Sequence, residues 1–65
     1  MSVLVNGRMH DLPEPPTLAA LLVALAPSLP FAVACNGEFV QCGTYEDCRI
    51  DRGDRIDIVH PTAGG

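Results

Sequence analysis

Two Asn-Gly dipeptides, Asn6-Gly7 and Asn36-Gly37, limit most strongly how this chain can fold. Both central positions of a type I′ turn need a positive φ angle, so Asn-Gly between strand-like runs is typical of a tight β-hairpin. The flanking runs alternate apolar and polar residues or are rich in β-branched and aromatic residues. The predicted strands around the two turns cover residues 2–6, 8–12, 31–35 and 38–40.

A leucine-rich segment between the hairpins predicts the one main helix. Its leucines recur at i, i+3, i+4 and i+7, which places them on a single helical face. These residues are Leu18, Leu21, Leu22 and Leu25. Thr17 suits the N-cap, and Pro27 and Pro30 bracket the end. We expect a helix of about ten residues whose leucines pack on a sheet.

The last predicted strand covers residues 55–60, with Ile56 and Ile58 facing inward and Asp57 facing outward. A polar segment over 43–48 is expected to form a helical turn, and 51–54 a tight turn. If the first two and the last two strands are hairpins, the first and last strands lie side by side at the centre of the sheet. One mixed sheet of four to five strands packed on one helix is an α+β structure of the β-grasp, or ubiquitin-like, type.

Composition limits the size of the protein and the classes of its partners. The 65 residues suit one domain, and a hydrophobic fraction of 48% is that of a folded chain. The net charge of −4, with four arginines and no lysine, argues against a nucleic-acid partner. The longest apolar run, 18–26, is far shorter than the about 20 residues that span a bilayer, and no signal peptide is visible. We expect a cytoplasmic protein with no membrane partner.

Few side chains in the body of the chain suggest chemistry. The three cysteines, Cys35, Cys42 and Cys48, are odd in number and lack a C-x-x-C pair, which favours reduced thiols over a disulfide framework or a zinc site. His10 and His60 fall on predicted strands, with no nucleophile or carboxylate arrangement beside them. The sequence therefore predicts a body without catalytic residues, a metal site or a bound cofactor.

The segment after the last strand is the remaining candidate. Pro61 cannot continue a strand ladder, so a domain over 1–60 and a flexible tail over 61–65 are expected. In that tail, Thr62, Ala63, Gly64 and Gly65 have progressively smaller side chains, and glycine lets another backbone approach closely. Such a tail can thread into a partner and present the Gly65 carboxylate. The alternative interpretation is a frayed end without a role.

The order and spacing of several segments resemble the ThiS family of sulfur carrier proteins, which belongs to the ubiquitin-like β-grasp superfamily. The resemblance covers essentially the whole chain. The segments that carry it are "VLVNG", "PTLAALLVAL", "VACNGEFV", "DRGDRIDIV" and the final "AGG". The chain departs from the family at Val40-Gln41-Cys42, where a "VPR"-like segment is common, so no partner contact through a basic residue is expected there.

The resemblance implies a function in thiamine biosynthesis. A ThiF-like adenylyltransferase would use ATP to adenylate the Gly65 carboxylate, and a persulfide derived from a cysteine desulfurase would then displace AMP. The resulting thiocarboxylate would donate its sulfur to a ThiG-like thiazole synthase. Only Gly64 and Gly65 carry over as functional residues. The chain itself would be a covalent cosubstrate and not an enzyme.

Three alternatives stay open at this stage. MoaD-like carriers of molybdopterin synthesis, and carriers for cysteine, methionine or siderophore assembly, share the fold and the tail. A ubiquitin-like protein modifier would join Gly65 to lysines of its targets. A β-grasp interaction module would bind partners through its sheet and leave the tail idle.

An activating enzyme must hold the body of the domain while the tail threads into its active site. We therefore expect the exposed sheet face near the tail to contact it. The candidate contact residues are Phe39, Val40 and Val59.

Overall fold

The computed structural model describes residues 2–61. Its strands are β1 (Ser2–Val5), β2 (Arg8–Asp11), β3 (Ala32–Cys35), β4 (Glu38–Val40) and β5 (Arg55–Val59). Helix α1 is Leu18–Leu25, and a short 3₁₀ helix covers Cys42–Asp47. The predicted tail residues Thr62, Ala63, Gly64 and Gly65 lie outside the described residues.

Both Asn-Gly dipeptides form the predicted hairpin turns. Asn6 and Gly7 have φ angles of 51° and 82°, and Asn36 and Gly37 have φ angles of 52° and 89°. β1 pairs with β2 and β3 pairs with β4, both antiparallel. Positive φ at both central positions matches the right-handed twist of the flanking strands, which is why these two dipeptides fix the two hairpins.

The five strands form one mixed sheet in the order β2-β1-β5-β3-β4. β5 is parallel to β1 and antiparallel to β3, so the prediction that the first and last strands lie side by side at the centre is confirmed. The prediction that the last two strands form a hairpin is wrong. β4 pairs with β3 at the sheet edge, and the connection over 41–54 carries the chain back to the centre.

The asparagines of the two turns also hold β5 from both sides. Asn6 Oδ1 accepts a hydrogen bond from the Ile58 N–H at 2.8 Å, and Asn6 Nδ2 donates to the Ile58 carbonyl at 3.3 Å. On the other side, Asn36 Oδ1 accepts from the Arg55 N–H at 2.9 Å, and Asn36 Nδ2 donates to Asp54 Oδ1 at 3.2 Å. Each side chain thus extends the pairing of β5 beyond the strand that precedes the turn.

Helix α1 begins and ends at residues that satisfy its free backbone groups. The Thr17 hydroxyl accepts from the Ala20 N–H at 3.2 Å, which confirms the predicted N-cap. Ala26, with φ 48°, is the C-cap and donates its N–H to the Leu22 carbonyl at 2.8 Å. The left-handed conformation at Ala26 ends the helix after eight residues, slightly earlier than predicted.

The core lies between this helix and one face of the sheet. Its buried aliphatic residues are Val3, Val5, Leu18, Leu21, Leu22, Val33, Ile50, Ile56 and Ile58. Leu25 packs against the core and is half-buried, so all four leucines face the sheet as predicted. Within residues 2–61, no helix is long and apolar enough to cross a bilayer.

The segment after the 3₁₀ helix is fastened to the start of α1. The Leu18 N–H donates to the Cys48 carbonyl at 2.8 Å, and the Ile50 N–H donates to the Pro16 carbonyl at 3.0 Å. These two bonds place the Ile50 side chain in the core, where it is 1% exposed. The long connection between β4 and β5 is therefore tied to the helix near its middle.

We predict that Asn6→Gly lowers the free energy of unfolding by about 1–3 kcal/mol, because it removes two partly buried hydrogen bonds to β5. Glycine adopts a positive φ angle readily, so the substitution leaves the backbone conformation of the turn accessible. Asn36→Gly is the matched control, since its hydrogen bonds are exposed. Urea unfolding should show the larger loss for Asn6→Gly, and equal losses would contradict the assignment.

Candidate partner-binding surface

One face of the sheet is covered by α1, and the other carries several apolar side chains from all five strands. Directly opposite residues on neighbouring strands present their side chains on the same face. Leu4 lies opposite Met9, Ala34 opposite Phe39, and Ala32 opposite Val59. We call these six residues, which lie on the side of the sheet away from the helix, the exposed sheet face.

Three members of this face have large, strongly exposed side chains. Met9 is 67% exposed, Phe39 74% and Val59 47%. The remaining members, Leu4, Ala32 and Ala34, are half-buried or buried. Isolated exposed apolar residues are normal on protein surfaces, so the grouping of Phe39 and Val59 around Ala32 and Ala34 on neighbouring strands is what favours a docking site for another protein.

The predicted contact residue Val40 does not belong to this face, and its placement there was wrong. Val40 lies opposite Val33, and Val33 lies opposite Ile58. Val33 and Ile58 are both buried in the core, and Val40 is half-buried and packs against it. The structure therefore places Phe39 and Val59 on the exposed sheet face and Val40 on the opposite, helix-facing side.

Sequence reasoning missed Met9 and Leu4 as members of the exposed sheet face. The signal was present in the first hairpin. A two-residue loop at Asn6-Gly7 fixes the register of the two strands, which sets Leu4 opposite Met9. Because Val3 and Val5 face inward, the alternation then directs Leu4 and Met9 outward.

Three charged residues lie on the same side of the sheet as the exposed sheet face. Asp11 lies opposite Ser2 on the first hairpin, and Arg55 and Asp57 lie on the central strand β5. Arg55 Nε lies 3.3 Å from Asp57 Oδ2, with side-chain exposures of 59% and 37%. The outward position predicted for Asp57 is confirmed. An exposed ion pair of this kind contributes about 0–1 kcal/mol to stability.

The exposed sheet face adjoins the point where the chain leaves the sheet. Val59 is the last residue of β5, and His60 and Pro61 follow it without regular structure. The His60 ring meets the Phe31 ring edge-on, with centroids 6.5 Å apart. A partner that covers Val59 therefore lies next to the start of the predicted tail, whose residues 62–65 are outside the described part of the chain.

The chain matches the model of the ThiS family over residues 3–65. It belongs to the ThiS family of ubiquitin-like sulfur carriers. Among solved structures, it is similar to the crystal structure of a thiamine biosynthesis protein (ThiS) from Geobacter metallireducens, with a TM-score of 0.82 and 23% sequence identity. That match covers 100% of both chains, and at this identity it shows the shared fold. No curated protein matched the sequence.

The three cysteines of this ThiS-family chain do not belong to the exposed sheet face. Cys35 and Cys48 are half-buried, Cys42 is exposed, and all three thiols are free. The tight turn predicted over 51–54 lies directly before β5, and Gly53 in it has φ 86°. Over residues 2–61, no group of three or more His, Cys, Asp or Glu is arranged to hold a metal ion.

We predict that Phe39→Ser changes the free energy of unfolding by less than about 0.5 kcal/mol, because the side chain is exposed. Val40→Ser, one residue later, should lower it by about 1–2 kcal/mol, since it places a hydroxyl against the core. Urea unfolding of the two variants compares how much each face of the sheet contributes to the free energy of unfolding. A larger loss for Phe39→Ser would contradict the face assignment.

Proposed function

We propose that this chain carries sulfur for thiazole formation in thiamine biosynthesis, as a thiocarboxylate on Gly65. The family match over residues 3–65 includes the Gly64-Gly65 pair and supports this proposal most directly. The similar protein of known structure is a thiamine biosynthesis protein, which favours this pathway over molybdopterin, cysteine or siderophore assembly.

The proposed chemistry begins with activation of an unreactive carboxylate. A carboxylate oxygen of Gly65 attacks the α-phosphorus of ATP in a ThiF-like adenylyltransferase, pyrophosphate leaves, and an acyl-adenylate forms. A persulfide derived from a cysteine desulfurase attacks the carbonyl carbon and expels AMP. This leaves a disulfide between the Gly65 carbonyl group and the donor cysteine. A second thiol then attacks the sulfur of the donor cysteine, which forms a new disulfide and releases the Gly65 thiocarboxylate.

The thiocarboxylate is the form that delivers sulfur. In this proposal a ThiG-like thiazole synthase accepts the sulfur and the Gly65 carboxylate is regenerated. The chain is a protein cosubstrate, and the catalytic groups and the ATP site belong to its partners. Gly64, Ala63 and Thr62 provide the narrow segment that enters the partner's active site, because small side chains leave room for close backbone contact.

In the same proposal, the exposed sheet face is the surface by which partners hold the domain. Burying an exposed aromatic or aliphatic side chain contributes about 1.5–3 kcal/mol, and Met9, Phe39 and Val59 are available for that purpose. Val59 lies two residues before Pro61, so contact there positions the start of the tail. Surface contact provides affinity, and the tail provides the reacting group.

We predict that deletion of Gly65 abolishes ATP–pyrophosphate exchange by the activating enzyme, because the reacting carboxylate moves one residue back from the catalytic site. The domain should unfold at an unchanged urea midpoint, since the buried core cluster of the described residues ends at Ile58. Thr62→Ser is the control that keeps the tail length and should retain exchange. Normal exchange by the shortened chain would contradict the proposal.

We predict that Phe39→Ser and Val59→Ser each weaken binding to the activating enzyme at least about tenfold, as expected for central apolar contacts. Val23→Ser is the matched control, because Val23 is 81% exposed on the helix, away from the exposed sheet face. Titration calorimetry with the purified enzyme measures the three affinities. An equal loss for Val23→Ser, or no loss for Phe39→Ser, would contradict this surface assignment.

A further inference from the structure

A cleft beside β4 brings together two of the three cysteines. The cleft lies between the β3–β4 hairpin and the 3₁₀ helix, and both Cys35 and Cys48 line it. Phe39 and Thr44 form part of the same wall. The two cysteines are separated by 12 intervening residues, 36–47, so the fold and not the local sequence places them together.

Backbone contacts fix both cysteines on the core side of this cleft. Cys35 is the last residue of β3 and lies opposite Ile56, which is fully buried. The Cys48 carbonyl accepts from the Leu18 N–H at 2.8 Å, and the Cys48 N–H donates to the Tyr45 carbonyl at 3.3 Å. Both side chains pack against the core.

Cys42 does not belong to this pair, although it is closer in sequence to Cys35 and to Cys48 than these two are to each other. It is the first residue of the 3₁₀ helix, its side chain is exposed, and it does not line the cleft. In an unfolded chain the short loops from Cys42 to Cys35 or Cys48 would close more readily than the longer one. Selective formation of a Cys35–Cys48 disulfide would therefore show that the folded structure determines which thiols pair.

We propose that Cys35 and Cys48 form a dithiol site that a low-molecular-weight disulfide oxidises reversibly to an intramolecular disulfide. A thiolate of the pair attacks one sulfur of the external disulfide, which expels one thiol and leaves a mixed disulfide. The second thiolate attacks the protein sulfur and expels the other thiol. Two protein thiols are oxidised, one disulfide is reduced to two thiols, and the protein loses two hydrogens.

The surroundings of Cys35 disfavour its thiolate form. Burial raises the pKa of the Cys35 thiol, with further contributions from the Asp54 carboxylate, from Cys48 and from Glu38. At neutral pH, Cys35 is therefore a thiolate less often than an ordinary cysteine, and thiolate is the attacking form.

The test is incubation of the full folded chain with oxidised glutathione, followed by intact mass measurement and peptide mapping. The wild type and Cys42→Ser should both lose two hydrogens and yield a peptide pair linked through Cys35 and Cys48. Reduced dithiothreitol should restore the original mass. The same reaction in concentrated urea is the control, and there the pairings that include Cys42 should appear as well.

Single variants separate closure from simple thiol reactivity. Cys35→Ser should retain a stable glutathione adduct on Cys48, because no second thiol is placed to expel it. Three results with the folded wild type would overturn the proposal. These are the same mixture of disulfides as in urea, a disulfide that includes Cys42, and glutathione adducts that do not go on to form the Cys35–Cys48 disulfide. These readouts need no ATP or partner enzyme, so they are independent of the chemistry proposed at Gly65.

Discussion

The insertion of β5 between β1 and β3 is the constraint on which the rest of the structure depends. β5 supplies Ile56 and Ile58 to the core, and it joins two hairpins that would otherwise be separate. The Asn6 and Asn36 side chains bind its backbone from opposite sides. A two-stranded hairpin alone is marginally stable in water, so this central strand turns two weak units into one sheet.

The same insertion determines where function can lie. With α1 on one side, the inward residues of β5 complete the core, and its outward residue Val59 joins Phe39 of the neighbouring hairpin on the exposed sheet face. β5 also ends at the rim of that surface, and the chain continues from Val59 through Pro61. In the proposed function, partner recognition by the body and reaction at the tail therefore start from adjacent positions, although they use different residues.

Local signals in the sequence were sufficient for the hairpins and the helix. Asn-Gly turns and the leucine spacing depend on nearest neighbours, and the structure follows both. Val40 was misplaced because a three-residue strand contains too little alternation to define its faces. The sequence did not predict three features that depend on the 41–54 connection. They are the separation of the last two strands, the burial of Ile50, and the placement of Cys35 and Cys48 along one cleft. The route of this connection depends on tertiary contacts.

The central claim concerns the carboxylate of Gly65, and the mass of the C-terminal peptide tests it most directly. The chain would be incubated with ATP, a sulfur donor and the activating enzyme, and then digested. The account predicts a mass increase that corresponds to replacement of one oxygen by sulfur, confined to the peptide that contains Gly65. An unchanged C-terminal peptide, or a gain found only on peptides with Met1, Met9 or a cysteine, would contradict it.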